Sequence, residues 1–114
     1  MNCRIAFEEL AWQTIPAGLR FKVHAFGSWQ LRLLEFTPEV EHPHWCTTGH
    51  VGYVIEGSMS VEFPDRVVTY FAGDGLVIPA GDSERHRPRA LSERVRLIFM
   101  EEILPALTGA EGQS

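Results

Sequence analysis

"AGDGLVIPAGD", residues 72–82, sets a Gly/Asp turn on either side of a three-residue apolar run. Residues 72–75 read as one turn, 76–78 as a strand and 79–82 as a second turn, because Gly, Pro and Asp are the residues that reverse a chain. The same punctuation recurs in both directions. Leu19–Phe26 and Trp29–Phe36 flank Gly27-Ser28 and read as a hairpin. Residues 51–55 run into the turn "EGS" at 56–58. Met59, Val61 and Phe63 then alternate with Ser58, Ser60 and Glu62, the period-two signature of a half-buried strand. "PDR" at 64–66 breaks the chain before Val67–Phe71, and residues 95–100 put Val95, Leu97 and Phe99 on one face. No stretch carries a sustained helical period, although Ile5, Phe7, Leu10 and Ala11 allow a single turn. Short strands at this spacing predict an all-β sandwich or closed barrel. Residues 103–114 lose apolar content and hold Pro105, Gly109 and Gly112, so a frayed tail is expected there.

A chain of 114 residues is bounded to one domain. Its 45% hydrophobic and 22% charged content is that of a soluble globular protein. A net charge of -5 argues against general nucleic-acid binding, which requires a basic face. Arg85, Arg87, Arg89, Arg94 and Arg96 nevertheless supply half of the basic groups. They read as a solvated strand edge or as a patch for an anionic substrate or acidic partner. Cys3 and Cys46 do not make a disulfide framework. No apolar run approaches the roughly 20 residues of a membrane span, and Glu8 and Glu9 spoil a signal peptide. The expectation is a cytoplasmic protein with reduced thiols and no membrane partner.

Chemistry concentrates in "EHPHWCTTGH", residues 41–50. If the segment is extended, His42, His44 and Cys46 share a face. A turn at 47–49 could then return His50 to the same pocket. A further ligand must come from His24 or His86, and His86 is favoured because it follows a Gly/Pro turn. A solvated loop is the competing reading. Four potential ligands in nine residues, from five His and two Cys in the whole chain, favour a metal pocket. A Cys46–His50 nucleophile–base pair lacks an orienting third group. Glu35, Glu56 and Glu62 read as solvated strand carboxylates. Trp29, Trp45, Phe36, Phe63 and Phe99 either line a ligand pocket or pack the core. By alternation Tyr53 faces away from His50.

These features together resemble the cupin family. Its first motif runs G-x5-H-x-H-x3-E-x6-G and its second G-x5-P-x-G-x2-H-x3-N. "GDGLVIPAG" (73–81) matches the start of the second motif without a gap at Gly73, Pro79 and Gly81; "GHVGYVIEG" (49–57) resembles the end of the first. Counting back from Gly57 puts His50 at the usual glutamate and Cys46 and His44 at the H-x-H pair. The literal H-x-H pair is instead His42 and His44. In the second motif Glu84 takes the usual histidine position and His86 lies two residues on, while Pro88 or Ala90 replaces the asparagine. The resemblance covers about residues 20–100. It implies an antiparallel jelly-roll β-barrel spanning the chain as one domain, often dimeric, with a metal inside the barrel. It ranks His44, His50 and His86 first as metal ligands, then Cys46, then His42 and Glu84. A neutral His set suits Zn, Fe, Ni or Cu, and a thiolate shifts the balance toward Zn or Cu. Two functions follow as expectations. One is a metalloenzyme acting on a small organic molecule, by dioxygenase or isomerase chemistry. The other is a non-catalytic small-molecule binding or sensing module.

Overall fold

The computed structural model describes residues 3–15, 18–42 and 44–103. Nine strands run β1 (Gln13–Ile15), β2 (Leu19–Phe26), β3 (Trp29–Phe36), β4 (His50–Glu56), β5 (Ser58–Glu62), β6 (Val67–Phe71), β7 (Gly75–Ile78), β8 (Arg87–Ala90) and β9 (Val95–Glu102). Two single 3-10 turns, Phe7–Glu9 and Asp82–Glu84, are the only helical elements among the described residues, and no helix there could cross a membrane. The expected tail from residue 104 onward lies outside the described residues.

All pairing is antiparallel. One sheet has the order β1-β2-β3-β9-β4-β7, and the facing sheet has the order β6-β5-β8. This is an all-β jelly roll. The β2–β3 hairpin closes at Gly27-Ser28 in the expected register, pairing Phe26 with Trp29. The turn after β4 does something a hairpin does not: it carries the chain from the large sheet into the small one. Gly57 makes that corner at φ 85°, and a Cβ there would collide with the Arg94 carbonyl oxygen.

Period-two alternation decides what faces the interior. On β9, Val95, Leu97, Phe99 and Glu101 are buried, whereas Met100 and Glu102 are exposed. Met59 and Val61 of β5, Leu76 and Ile78 of β7, and Val54 of β4 complete the core with Phe36 and Phe63. Each large side chain so buried contributes roughly 1.5–3 kcal/mol, which is what holds the two sheets face to face.

The outer face of the large sheet hides a carboxylate. Glu35 is only 6% exposed, in place of the solvated position expected for it. Arg20 donates to its Oε1 at 2.5 Å and Arg96 to its Oε2 at 2.6 Å. Burial alone would raise the Glu35 pKa; these two guanidinium groups outweigh it and hold the carboxyl below its ordinary range. Most of the arginine cluster is thereby accounted for. Arg94 pairs with Glu56 at 2.9 Å, Arg87 with Glu62 at 3.0 Å, and Arg85 with Asp82 at 3.3 Å. Glu56 and Glu62 remain on the wet side, as expected.

Candidate metal centre

Cys46, His50 and His86 converge inside the barrel. Their ligand atoms all lie within 4.8 Å of one another. Three separate pieces of backbone bring them there. Cys46 and His86 form an isolated antiparallel bridge, with Cys46 N donating to His86 O at 2.9 Å and His86 N to Cys46 O at 3.0 Å. His50 opens β4, paired with Ile78 of β7, and points inward with Gly52 and Val54. Cys46 therefore pairs with the β8 approach, 40 residues away in sequence, and not back onto β4.

Each imidazole is oriented by its second nitrogen. His86 is 3% exposed. Its Nδ1 lies 2.9 Å from the Glu84 carbonyl oxygen. A carbonyl can only accept, so Nδ1 carries the hydrogen and Nε2 is left with a bare lone pair. That Nε2 is buried with no hydrogen-bond partner. His50 Nε2 lies 3.7 Å from Cys46 Sγ, and its Nδ1 lies 3.2 Å from Glu101 Oε2. The Nδ1 contact is an ion-pair distance rather than an aligned hydrogen bond. Burial disfavours charge on His50, but Cys46 and Glu101 outweigh it and raise its pKa in the metal-free chain. Glu101 in turn accepts from Gln30 Nε2 at 2.5 Å and Arg32 Nη2 at 2.6 Å. Burial pushes the Glu101 pKa up; His50, Arg32 and Gln30 together pull it below the ordinary value.

Packing braces the group. The Phe99 ring stands edge-on to His50 at 4.7 Å, and the His50 and His86 rings are 5.1 Å apart. Phe99 can cross β4 there only because residue 52 is glycine. A Cβ on Gly52 would sit 2.5 Å from Phe99 Cβ and collide with the Ile98 carbonyl oxygen.

The donor set fits a divalent transition metal. Three atoms within 4.8 Å of one another have a common centre about 2.8 Å or less from each, so small side-chain shifts reach the ~2.0–2.3 Å of metal–N and metal–S bonds. An unpartnered buried lone pair, a thiol and an imidazole backed by a carboxylate are the parts such a site uses.

The other candidates fall elsewhere. His42 and His44 line the same cavity but stand outside the three-residue group. His42 packs edge-on against Phe36 at 5.8 Å, and burial lowers its pKa. His44 is exposed. The Glu84 carboxylate turns outward to Arg66 at 2.7 Å, and only its backbone serves the site. Tyr53 is 50% exposed, facing away from His50 as alternation expects. Trp45, Phe36 and Phe99 line the cavity, Phe63 packs in the core, and Trp29 is 46% exposed.

Sequence reasoning missed Glu101, Arg32, Gln30 and the role of Gly52. The signal for Glu101 was present: it continues the Val95, Leu97, Phe99 phase, so a carboxylate stands at a core-facing position. The cavity beside the group measures about 750 Å³ and is lined by residues of both sheets.

Comparison with known proteins agrees with this architecture. KdgF from a Halomonas species superposes with a TM-score of 0.70 at 22% identity, covering 89% of this chain and 94% of that one. A cupin-2 domain containing protein from Shewanella frigidimarina is 30% identical over 72% of this chain and 78% of its own, with a TM-score of 0.57. The polyketide cyclase RemF from Streptomyces resistomycificus gives 0.72 at 20% identity, covering 91% and 81%. No curated protein matches the chain. The sequence profile described as "Cupin domain" matches residues 32–101, more than half of the chain. The chain belongs to the cupin family.

Proposed function

We propose that this cupin holds a divalent transition metal on Cys46, His50 and His86 and uses it on a small organic molecule bound in the barrel cavity. The observation that carries the reading is the His86 Nε2 lone pair, left bare by the Nδ1–H donated to Glu84 and buried without a partner, on a residue grouped with Cys46 and His50. A buried acceptor left unsatisfied costs about 1–3 kcal/mol, and a metal ion removes that cost. One thiolate and two imidazoles favour Zn or Cu over Fe or Ni.

When bound, the metal would supply a Lewis acid for isomerase chemistry or, as copper, a redox centre for dioxygenase chemistry. The chain's own groups do the rest. Glu101 fixes the His50 ring and raises its basicity as a ligand. The Glu84 carbonyl fixes the tautomer of His86. Phe99, Leu97 and Met59 give the cavity an apolar inner wall. A non-catalytic binding or sensing module is the second reading, and one observation favours it: among the described residues three protein donors converge where the family pattern supplies four.

Metal analysis of the chain purified without added metal is the test. About one equivalent of transition metal is expected in the wild type, with loss in Cys46→Ser and His86→Ala. Metal content below a tenth of an equivalent after incubation with Zn, Cu, Fe and Ni would falsify the reading. A homodimer belongs to the same proposal. Val51, Tyr53, Val77 and Met100 are 58%, 50%, 73% and 42% exposed on the outer face of the large sheet, a patch suited to covering by a second copy. Light scattering should give twice the chain mass, and a monomer mass sinks that part.

A further inference from the structure

The cavity beside the metal group is polar at one end and apolar over the rest. Gln30 and Arg32 of β3 and Glu101 of β9 gather beside Cys46, His50 and His86. Leu34, Met59, Ile78 and Leu97 form part of the apolar wall. Glu102 and His44 are exposed and belong to the rim. Arg32 and Glu101, paired at 2.6 Å, balance each other in charge. A divalent ion bound by Cys46 as thiolate changes that. The thiolate cancels one of two charges, the imidazoles cancel none, and the interior gains one unbalanced positive charge. Against apolar walls, such a charge is stabilised by an anion.

The hydrogen-bond inventory is lopsided in the same direction. Glu101 is well supplied: Oε1 accepts from both Gln30 and Arg32, and Oε2 faces His50. Arg32 has donors left over. Its Nε is buried without a partner, and Nη2 to Glu101 is the guanidinium's one hydrogen bond among the described residues. The guanidinium carbon lies 5.6 and 5.0 Å from the centroids of the Phe99 and Phe21 rings, which flank it on the inner face.

We propose that the cavity takes a small organic acid as its monoanion, with the carboxylate beside Arg32 and the metal group and the apolar body against Leu34, Met59 and Leu97. The inference rests on the metal reading for its charge balance and on Arg32 for recognition. Hexanoate and benzoate, each paired with its neutral amide, are titrated calorimetrically into zinc-loaded and metal-free full-length chain. Zinc content is measured on the same samples. At least one acid should bind zinc-loaded protein about tenfold or more tighter than its amide, the scale of one charge-assisted contact. Arg32→Gln should abolish that preference. Arg32→Lys, which keeps a cation opposite Glu101, should reduce it and serves if Arg32→Gln does not melt cooperatively. Failure of both acids to bind, acid and amide binding within threefold, or an unchanged preference in both variants overturns the proposal. A chain that retains neither zinc nor copper, iron or nickel overturns the metal reading instead. The preference is then read on metal-free protein, where dependence on Arg32 supports the inference and its absence overturns it.

Discussion

Glu35 and Glu101 are both buried carboxylates on the same sheet, 6% exposed each, and both sit where β3 meets β9. They face opposite ways. Glu35 lies on the outer face, gripped by Arg20 and Arg96, and touches nothing reactive. Glu101 lies on the inner face, satisfied by Arg32 and Gln30 on one oxygen, and offers the other to His50. Burial of a carboxylate therefore does not mark a site by itself. The marker is a carboxylate oxygen spent on an imidazole whose other nitrogen faces open ligand space.

The inner face should be the less forgiving of the two, and Gly52→Ala tests this most severely. The added methyl meets Phe99 Cβ and the Ile98 carbonyl, neither of which can rotate away. A loss of about 3 kcal/mol is expected in denaturant melts, at the upper end for overpacking. Metal affinity should fall with it, because Phe99 braces His50. A loss below about 0.5 kcal/mol would show that β4 and β9 can separate there freely.

Next in size is the direct exchange of the two carboxylates for amides. Glu101→Gln keeps the shape but weakens the hold on His50, and metal affinity should drop about 10–100-fold. Glu35→Gln should leave affinity within threefold. Equal losses in the two variants would erase the distinction between the faces. Competition with a chromogenic chelator reads both.

How far the sequence carried the fold can be seen in the same residues. The hairpin at Gly27-Ser28 and the strand between the two Gly/Asp turns were legible because the turn residues sit within a few positions of the backbone they reverse. The transfer between sheets at Gly57 was not, since a turn residue does not say which partner the next strand will find. The spacing from Gly57 singles out His50, whereas the spacing from Gly81 points to Glu84, and His86 is favoured only because it follows a Gly/Pro turn. Cys46 enters the candidates by the same count back from Gly57, but its bridge to His86 is a long-range pairing that local pattern does not encode. Glu35 was misjudged for the same reason: its neutralising Arg96 lies 61 residues away.

A smaller effect separates the carboxylates by acid. The folded-state pKa of Glu35 is lowered, so its contribution to stability is present above the unfolded value near 4.5 and is lost as pH falls through the folded value. Glu35→Gln should cost about 1–2 kcal/mol at pH 7, less than a fully buried pair because the arginines are partly solvated. The wild-type and variant stability curves should begin to converge in urea melts as pH falls below 4.5. Curves that stay parallel down to pH 3 would mean that Glu35 is held by packing and not by charge.

The least change is expected from His42→Ala. His42 lines the cavity and has a buried Nε2 without a partner, the same description that fits His86. What it lacks is convergence: its ring packs on Phe36, and it lies outside the group formed by Cys46, His50 and His86. Metal affinity should stay within threefold of wild type, against loss of binding for His86→Ala. A loss of tenfold or more in His42→Ala would restore the literal H-x-H pair as ligands. It would mean that loading the metal draws the 37–42 segment inward, and that an unpartnered buried nitrogen is by itself a better guide to a ligand than proximity is.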